Sequence, residues 1–155
     1  MLVVIHCDDG NDYSVLTMQP RLAIGKFEML EIPAGMIDND ENFAGVAAKE
    51  LKEEAGIIVK SNELKDLSEY AVDYDRAYPS CGACDEFMKF YLYETRMTKE
   101  ALNELEAKVG GAYEEGETIK LKVVKLCDLA RNSPDMKTLS ALYLYEKYLK
   151  RCSSL

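Results

Sequence analysis

The chain has 155 residues, 28 of them acidic and 19 basic, for a net charge of −9. That length is room for one domain and one core, and the acid excess argues against a broad phosphate-binding face and so against a general nucleic-acid binder. With 48% hydrophobic residues the chain can pack a core, which excludes wholesale disorder.

Leu2 to Cys7 and Tyr13 to Gln19 read as two strands around Asp8-Asp9-Gly10-Asn11, a hairpin signal. The opening Met1-Leu2-Val3-Val4-Ile5 lacks a basic leader and reads as strand, not signal peptide. One domain is expected over residues 1–155, with no separate N-terminal dimerisation segment. Phe27 to Ile32 is a further apolar run, stopped by Pro33 and Gly35. The period then changes: Phe43, Ala47, Leu51 and Ala55 recur every four residues and predict a helix with one buried stripe. Asp38, Asn39 and Asp40 offer caps before it, and Gly56 ends it.

Ile57 to Val59 and Leu67 to Tyr74 are strand-like, and Glu86 to Thr95 alternates. Met88, Phe90 and Leu92 fall on one side of it, Phe87, Tyr91 and Tyr93 on the other. Thr98 to Val109 is expected to be helical and Ile119 to Leu126 a strand. Ser133 and Pro134 signal a helix start, with Leu139, Leu142, Tyr145 and Leu149 as its apolar stripe. This order suits a mixed sheet with helices on both faces.

Five cysteines, an odd number in a chain too large to need staples, favour reduced thiols and a cytoplasmic setting. Cys81 and Cys84 form a lone Cys-x-x-Cys; a zinc site would need two further ligands, and His6 is the only histidine. The pair is read as structural or incidental. No apolar run reaches the length of a membrane span.

The predicted helix carries Glu50, Glu53 and Glu54 on one face. Like charges at this spacing repel, and a hard divalent cation with oxygen ligands removes the penalty. On the helix alone, a solvated acidic face softened by Lys49 and Lys52 is the competing reading. The residues around the helix carry a resemblance that favours the cation. Gly35 is followed five residues later by Glu41, and seven residues after that by Lys49-Glu50-Leu51-Lys52-Glu53-Glu54-Ala55-Gly56-Ile57. This resembles the Nudix box over its 23 positions, with Lys49 where the family has Arg.

The resemblance implies a Nudix fold of the α/β (α+β) class, a mixed β-sheet sandwiched between α-helices. It implies that Glu50, Glu53 and Glu54 bind Mg²⁺, with Mn²⁺ as a substitute, and hold the attacking water. Glu41, Lys49 and Gly56 are the structural positions of the motif. Lys49 can pair with a carboxylate but cannot make the two-pronged contact of Arg.

Three further segments resemble the ADP-sugar pyrophosphatases. They are Glu31-Ile32-Pro33-Ala34-Gly35, Gln19-Pro20-Arg21, and Tyr78-Pro79-Ser80-Cys81-Gly82-Ala83-Cys84-Asp85-Glu86. Lys137-Thr138-Leu139-Ser140-Ala141-Leu142 also fits, above all the plant-type ADP-glucose and ADP-ribose hydrolases. By this likeness Arg21, Gly35, Tyr78 and Glu86 are expected to bind substrate. The acidic run Glu114-Glu115-Gly116-Glu117 reads either as an exposed loop or, by the resemblance, as a loop returning to the metal site. In the second case Glu115 is the expected base, with Glu53 as the other catalytic carboxylate, and Glu117 a further metal ligand.

The implied reaction is Mg²⁺-dependent hydrolysis of a nucleoside diphosphate sugar such as ADP-ribose, ADP-glucose or UDP-glucose. The alternatives are another diphosphate derivative (NADH, a dinucleoside polyphosphate, a damaged nucleotide) or a non-catalytic module that binds nucleotide sugars. Neither nucleic acid nor membrane is an expected partner, and a homodimer is left open.

Overall fold

The computed structural model describes residues 1–36, 42–70, 76–111 and 119–153. Its strands are β1 (Leu2–Cys7), β2 (Asp12–Arg21), β3 (Lys26–Glu31), β4 (Lys65–Asp66), β5 (Tyr91–Met97), β6 (Val109–Gly110) and β7 (Ile119–Lys125). Its helices are α1 (Phe43–Ala55), α2 (Lys99–Glu106), α3 (Leu129–Asn132) and α4 (Met136–Cys152). The strands form one mixed sheet in the order β4-β5-β1-β2-β7-β6. The pair β1–β5 is parallel and β1–β2 antiparallel. The long strand β2 pairs with β7 through Tyr13 to Met18, while its far end from Thr17 to Arg21 pairs with β3.

Both faces of the sheet are covered, so β1 is buried on both sides from Leu2 to Ile5, which form a continuous apolar run. Val3 and Ile5 pack with Leu51 and Ala55 of α1 and Leu102 and Leu105 of α2. Leu2 and Val4 face the other way, onto Leu129, Ala141, Leu144 and Tyr145 of α3 and α4. This is the expected sandwich of a mixed sheet between helices. Among the described residues no helix is long and apolar enough to cross a membrane.

Several elements depart from the sequence reading. The N-cap of α1 is Asn42, whose side chain accepts from the Gly45 N–H; Asp38, Asn39 and Asp40 lie outside the described residues, as does Glu41. The strand expected from Leu67 to Tyr74 begins instead with a helical turn at Ser68–Tyr70, the short β4 lies just before it at Lys65–Asp66, and residues 71–74 lie outside the described residues. Ser68 Oγ takes the Phe90 N–H at 2.8 Å, so a side chain replaces the next rung of the ladder. Ile57 to Val59 alternates in burial but belongs to none of the named strands. The expected helix from Thr98 to Val109 is shorter, with Thr98 as its cap and Val109 already in β6.

The buried face of α4 also differs from the apolar stripe. Leu139 and Leu149 are exposed, whereas Thr138, Ala141, Leu144 and Tyr145 are buried. Thr138 sits inside because its hydroxyl accepts the Ile32 N–H at 3.3 Å and bonds Ser133 Oγ at 2.9 Å. A satisfied polar residue therefore sets the rotation of this helix.

Candidate active site

The site is built where α1 crosses the loop that leaves β3. Leu51 and Ala55 anchor α1 to the sheet, which turns Glu50 and Glu54 toward that loop. A Cβ on Gly35 would lie 2.0 Å from Glu50 Cδ and 2.3 Å from its Oε1. Only a residue without a side chain lets the Glu50 carboxylate lie against the backbone here.

Glu54 is 5% exposed. Its Oε2 accepts the Ala34 N–H at 3.0 Å and its Oε1 accepts from Gln19 Nε2 at 2.9 Å. Burial pushes its carboxyl up to about 7, helped by the Glu50 charge and opposed by the Ala34 N–H, the Met1 amino group and the Gln19 amide. Glu53 lies on the outer side of the helix, 3.8 Å from Lys49 Nζ in an exposed pair. The structure thus brings Glu50 and Glu54 together and leaves Glu53 beside Lys49. Among the described residues no three of His, Cys, Asp or Glu gather into a metal-holding group. The physical reason is that each carboxylate turns to its own neighbour: Glu50 to the Gly35 cradle, Glu54 to Ala34 and Gln19, Glu53 to Lys49.

The donor set fits a hard divalent cation. Glu50 and Glu54 supply carboxylate oxygens, and their mutual repulsion is the penalty that a cation removes.

At the C-terminus of α1, Gly56 takes the left-handed conformation with φ 64° and donates to the Leu51 and Lys52 carbonyls. The end of β6 crosses just behind it. A Cβ on Gly110 would meet the Glu54 carbonyl oxygen at 1.9 Å, and the Gly111 N–H donates to the Glu53 carbonyl at 2.9 Å. Gly110 also pairs with Ile119. Glu114, Glu115 and Glu117 fall between these two anchored positions in sequence, outside the described residues.

Arg21 lies at the end of β2 in a two-pronged pair with Glu31, Nε to Oε1 at 2.6 Å and a terminal nitrogen to Oε2 at 3.0 Å. Lys137 of α4 donates to the same Oε2 at 3.0 Å and to Asp135 Oδ1 at 3.0 Å. Burial alone would raise Glu31, but Arg21 and then Lys137 hold its carboxyl below the usual range. Glu54 and Asp135 also raise Arg21, which places this cluster within electrostatic reach of the α1 carboxylates.

Tyr78 is half-exposed and Glu86 exposed. Tyr78 lines an open depression of about 690 Å³ with Cys81, Gly82, Ala83, Cys84 and Asp85. That hollow contains none of the box glutamates. Its segment is tied to α1 through Phe87, whose ring lies 6.4 Å from Phe43, so Phe87 serves as packing. Phe43 begins α1 and Glu50 lies about 10 Å further along the axis.

Reading along the chain did not isolate Gln19, Ala34, Glu31 and Lys137 as contacts. All four lie in the segments that carry the ADP-sugar likeness, and that likeness was their only signal.

The NUDIX domain family model matches residues 1–143. A relative, Nudix hydrolase 14, chloroplastic, of Arabidopsis thaliana, is 41% identical over 142 residues. The match covers 89% of this chain and 45% of that protein, so the chain spans less than half of the relative's length. Among solved structures, a C. elegans Ap4A hydrolase binary complex aligns with a TM-score of 0.61 at 16% identity, covering 96% of this chain and 95% of that one. The NUDIX domain of Shewanella oneidensis NrtR, complexed with ADP ribose, aligns with a TM-score of 0.62 at 13% identity, covering 96% and 84%. At these identities the two structures share the fold.

Proposed function

The chain belongs to the Nudix family, matched over residues 1–143, and from that premise we propose that it hydrolyses the diphosphate bond of a nucleoside diphosphate sugar. ADP-ribose, ADP-glucose and UDP-glucose are the substrates considered, and the products are a nucleoside monophosphate and a sugar phosphate. Water forms a new bond to one phosphorus, and the bridging phosphorus–oxygen bond breaks.

The observation that carries this reading is the pair Glu50 and Glu54. Glu54 is a buried carboxylate with neutral hydrogen-bond donors and a like-charged neighbour, an arrangement that gains from a bound cation. Glu50 and Glu54 would hold Mg²⁺, which supplies charge neutralisation and a lowered pKa for bound water. The chain's own residues do the rest. Ala34 and Gln19 fix the Glu54 carboxylate, and the Gly35 backbone admits Glu50. Arg21 offers a guanidinium to the diphosphate oxygens.

A carboxylate takes the proton of the attacking water, Glu115 by preference, with Glu53 as the other catalytic carboxylate. Support for Glu115 is the anchoring of Gly111 and Ile119, the neighbours of residues 112–118, against Glu53 and Gly110. Glu117 is proposed as a further ligand on the same ground. Support for the sugar nucleotide class is the likeness of the segments around Arg21, Glu31 to Gly35 and Tyr78 to Glu86 to ADP-sugar pyrophosphatases.

The test is a side-by-side assay of ADP-ribose, ADP-glucose, UDP-glucose, NADH and diadenosine tetraphosphate with Mg²⁺. Release of a nucleoside monophosphate fastest from one of the sugar nucleotides is expected. Faster hydrolysis of NADH or the dinucleotide removes the sugar class, and no hydrolysis of any removes the activity.

A further inference from the structure

The Glu31 carboxylate is almost closed to solvent, at 4% exposure, yet it is shared by two cations from distant parts of the chain. Arg21 comes from β2 and is 45% exposed at its side chain; Lys137 comes from the first turn of α4 and is 27% exposed. Lys137 is held on two carboxylates, Glu31 and Asp135, each at 3.0 Å. Its backbone is fixed as well. Asp135 caps α4 at the Thr138 N–H, Ser133 Oγ donates to the Leu30 carbonyl at 2.6 Å, and Thr138 Oγ1 accepts the Ile32 N–H at 3.3 Å. The start of α4 is therefore bonded to the residues on either side of Glu31.

Arg21 commits the edge formed by Nε and one terminal nitrogen to Glu31, and it can offer that edge to a diphosphate only by loosening its hold on Glu31. Removing the one cation from a buried carboxylate is strongly unfavourable, because the charge stays behind in a poorly solvated place. A second cation on the same oxygen removes that obstacle. We propose that Lys137 is a positioning residue: it keeps Glu31 neutralised so that Arg21 can turn from Glu31 to the diphosphate of the substrate. This rests on the reading above that Arg21 binds the substrate's phosphates. Lys137 is not itself the phosphate ligand in this scheme, being the less exposed cation and the one bound to two carboxylates.

The experiment is steady-state kinetics of Lys137→Gln and Lys137→Arg, alone and combined with Arg21→Ala or Glu31→Gln, on the substrate that the protein hydrolyses best. Lys137→Gln keeps an amide donor for Glu31 and Asp135, so the start of α4 retains a hydrogen bond while losing the charge. Lys137→Gln is expected to raise KM about tenfold with kcat little changed, and Lys137→Arg to leave KM near wild type. In the Arg21→Ala background, and separately in the Glu31→Gln background, Lys137→Gln is expected to add no further rise. The proposal is overturned if Lys137→Gln leaves KM unchanged, or raises it as much in either background as in the wild type. A protein whose KM is untouched by Arg21→Ala itself fails at the earlier step, the binding role of Arg21, and takes this inference with it. If Lys137→Gln melts well below the wild type, the comparison is made with Lys137→Met/Glu31→Gln against Glu31→Gln. Equal KM in that pair supports the proposal, and a higher KM in the double variant overturns it.

Discussion

Two glutamates, Glu31 and Glu54, are buried to nearly the same degree, at 4% and 5% exposure, and their carboxyl groups respond in opposite directions. Glu31 is held below the usual carboxylate range and Glu54 is raised to about 7. Desolvation is the largest influence on both, so burial does not distinguish them. Their partners do. Glu31 accepts from a guanidinium and an ammonium. Glu54 accepts from a backbone N–H and an amide, with Glu50 as a like charge nearby. The first carboxylate is bonded to two cations, and the second accepts its hydrogen bonds from two neutral donors. That difference separates a carboxylate whose charge is already paired from the one proposed to hold the metal.

The sharpest way to break the comparison is to neutralise Glu54. Glu54→Gln is expected to lower kcat at least about 100-fold. The same change is expected to leave the fold intact and to stabilise it near neutral pH, since an amide pays no charge burial at this place. Turnover and urea unfolding measured on the same preparation check both halves. Near-normal turnover would remove Glu54 from the metal site. Gly35→Ala attacks the other member of the pair. The added methyl would overlap Glu50 Cδ at 2.0 Å, so Glu50 must leave its cradle. A drop in kcat of about tenfold or more is expected, with Mg²⁺ titration showing weaker dependence.

A second test uses pH, because the two glutamates carry opposite linkage. The folded value of Glu54 is raised from 4.5 to about 7, so the folded state binds the proton more tightly than the unfolded chain. Its contribution is fully present below 4.5 and is lost as pH rises through about 7. Glu31 is lowered, so its contribution is present above 4.5 and is lost as pH falls through its folded value. In chelator-treated buffer, Glu54→Gln should flatten the decline of stability between 4.5 and about 7, by on the order of 3 kcal/mol. Glu31→Gln should instead flatten the decline on the acid side of 4.5. Unfolding free energy against pH for the three proteins reads both slopes, and matching slopes in the two variants would erase the distinction.

The sequence made the acidic helix legible because its apolar period is strict: Phe43–Ala55 is the whole of α1, and Gly56 stops it. It made the sandwich legible because β1 is apolar without a break from Leu2 to Ile5, as a strand covered on both faces must be. It could not show which carboxylate is bonded to cations. Gln19 reaches Glu54 across 35 residues and Lys137 reaches Glu31 across 106, and neither pairing leaves a periodic trace. The errors in α4 and near Ser68 have one cause. Thr138 and Ser68 are polar residues buried with their hydrogen bonds satisfied, and an apolar stripe places such residues outside.

The smallest expected effect belongs to Lys49, the one departure from the box. Its contact with Glu53 is 3.8 Å long, with the side chains 68% and 42% exposed. Water competes for both ends, so Lys49→Ala should change stability by no more than about 0.5 kcal/mol. Lys49→Arg is the more informative change. A guanidinium could grip Glu53 with two parallel bonds where the ammonium makes a single distant approach. If Glu53 acts from an exposed position with little need of orientation, kcat should rise by less than about threefold. A rise beyond about tenfold would mean that Glu53 belongs with Glu54, as a carboxylate that is incomplete until a partner holds it. The division would then run between the α1 carboxylates together and Glu31, whose two cations already hold it.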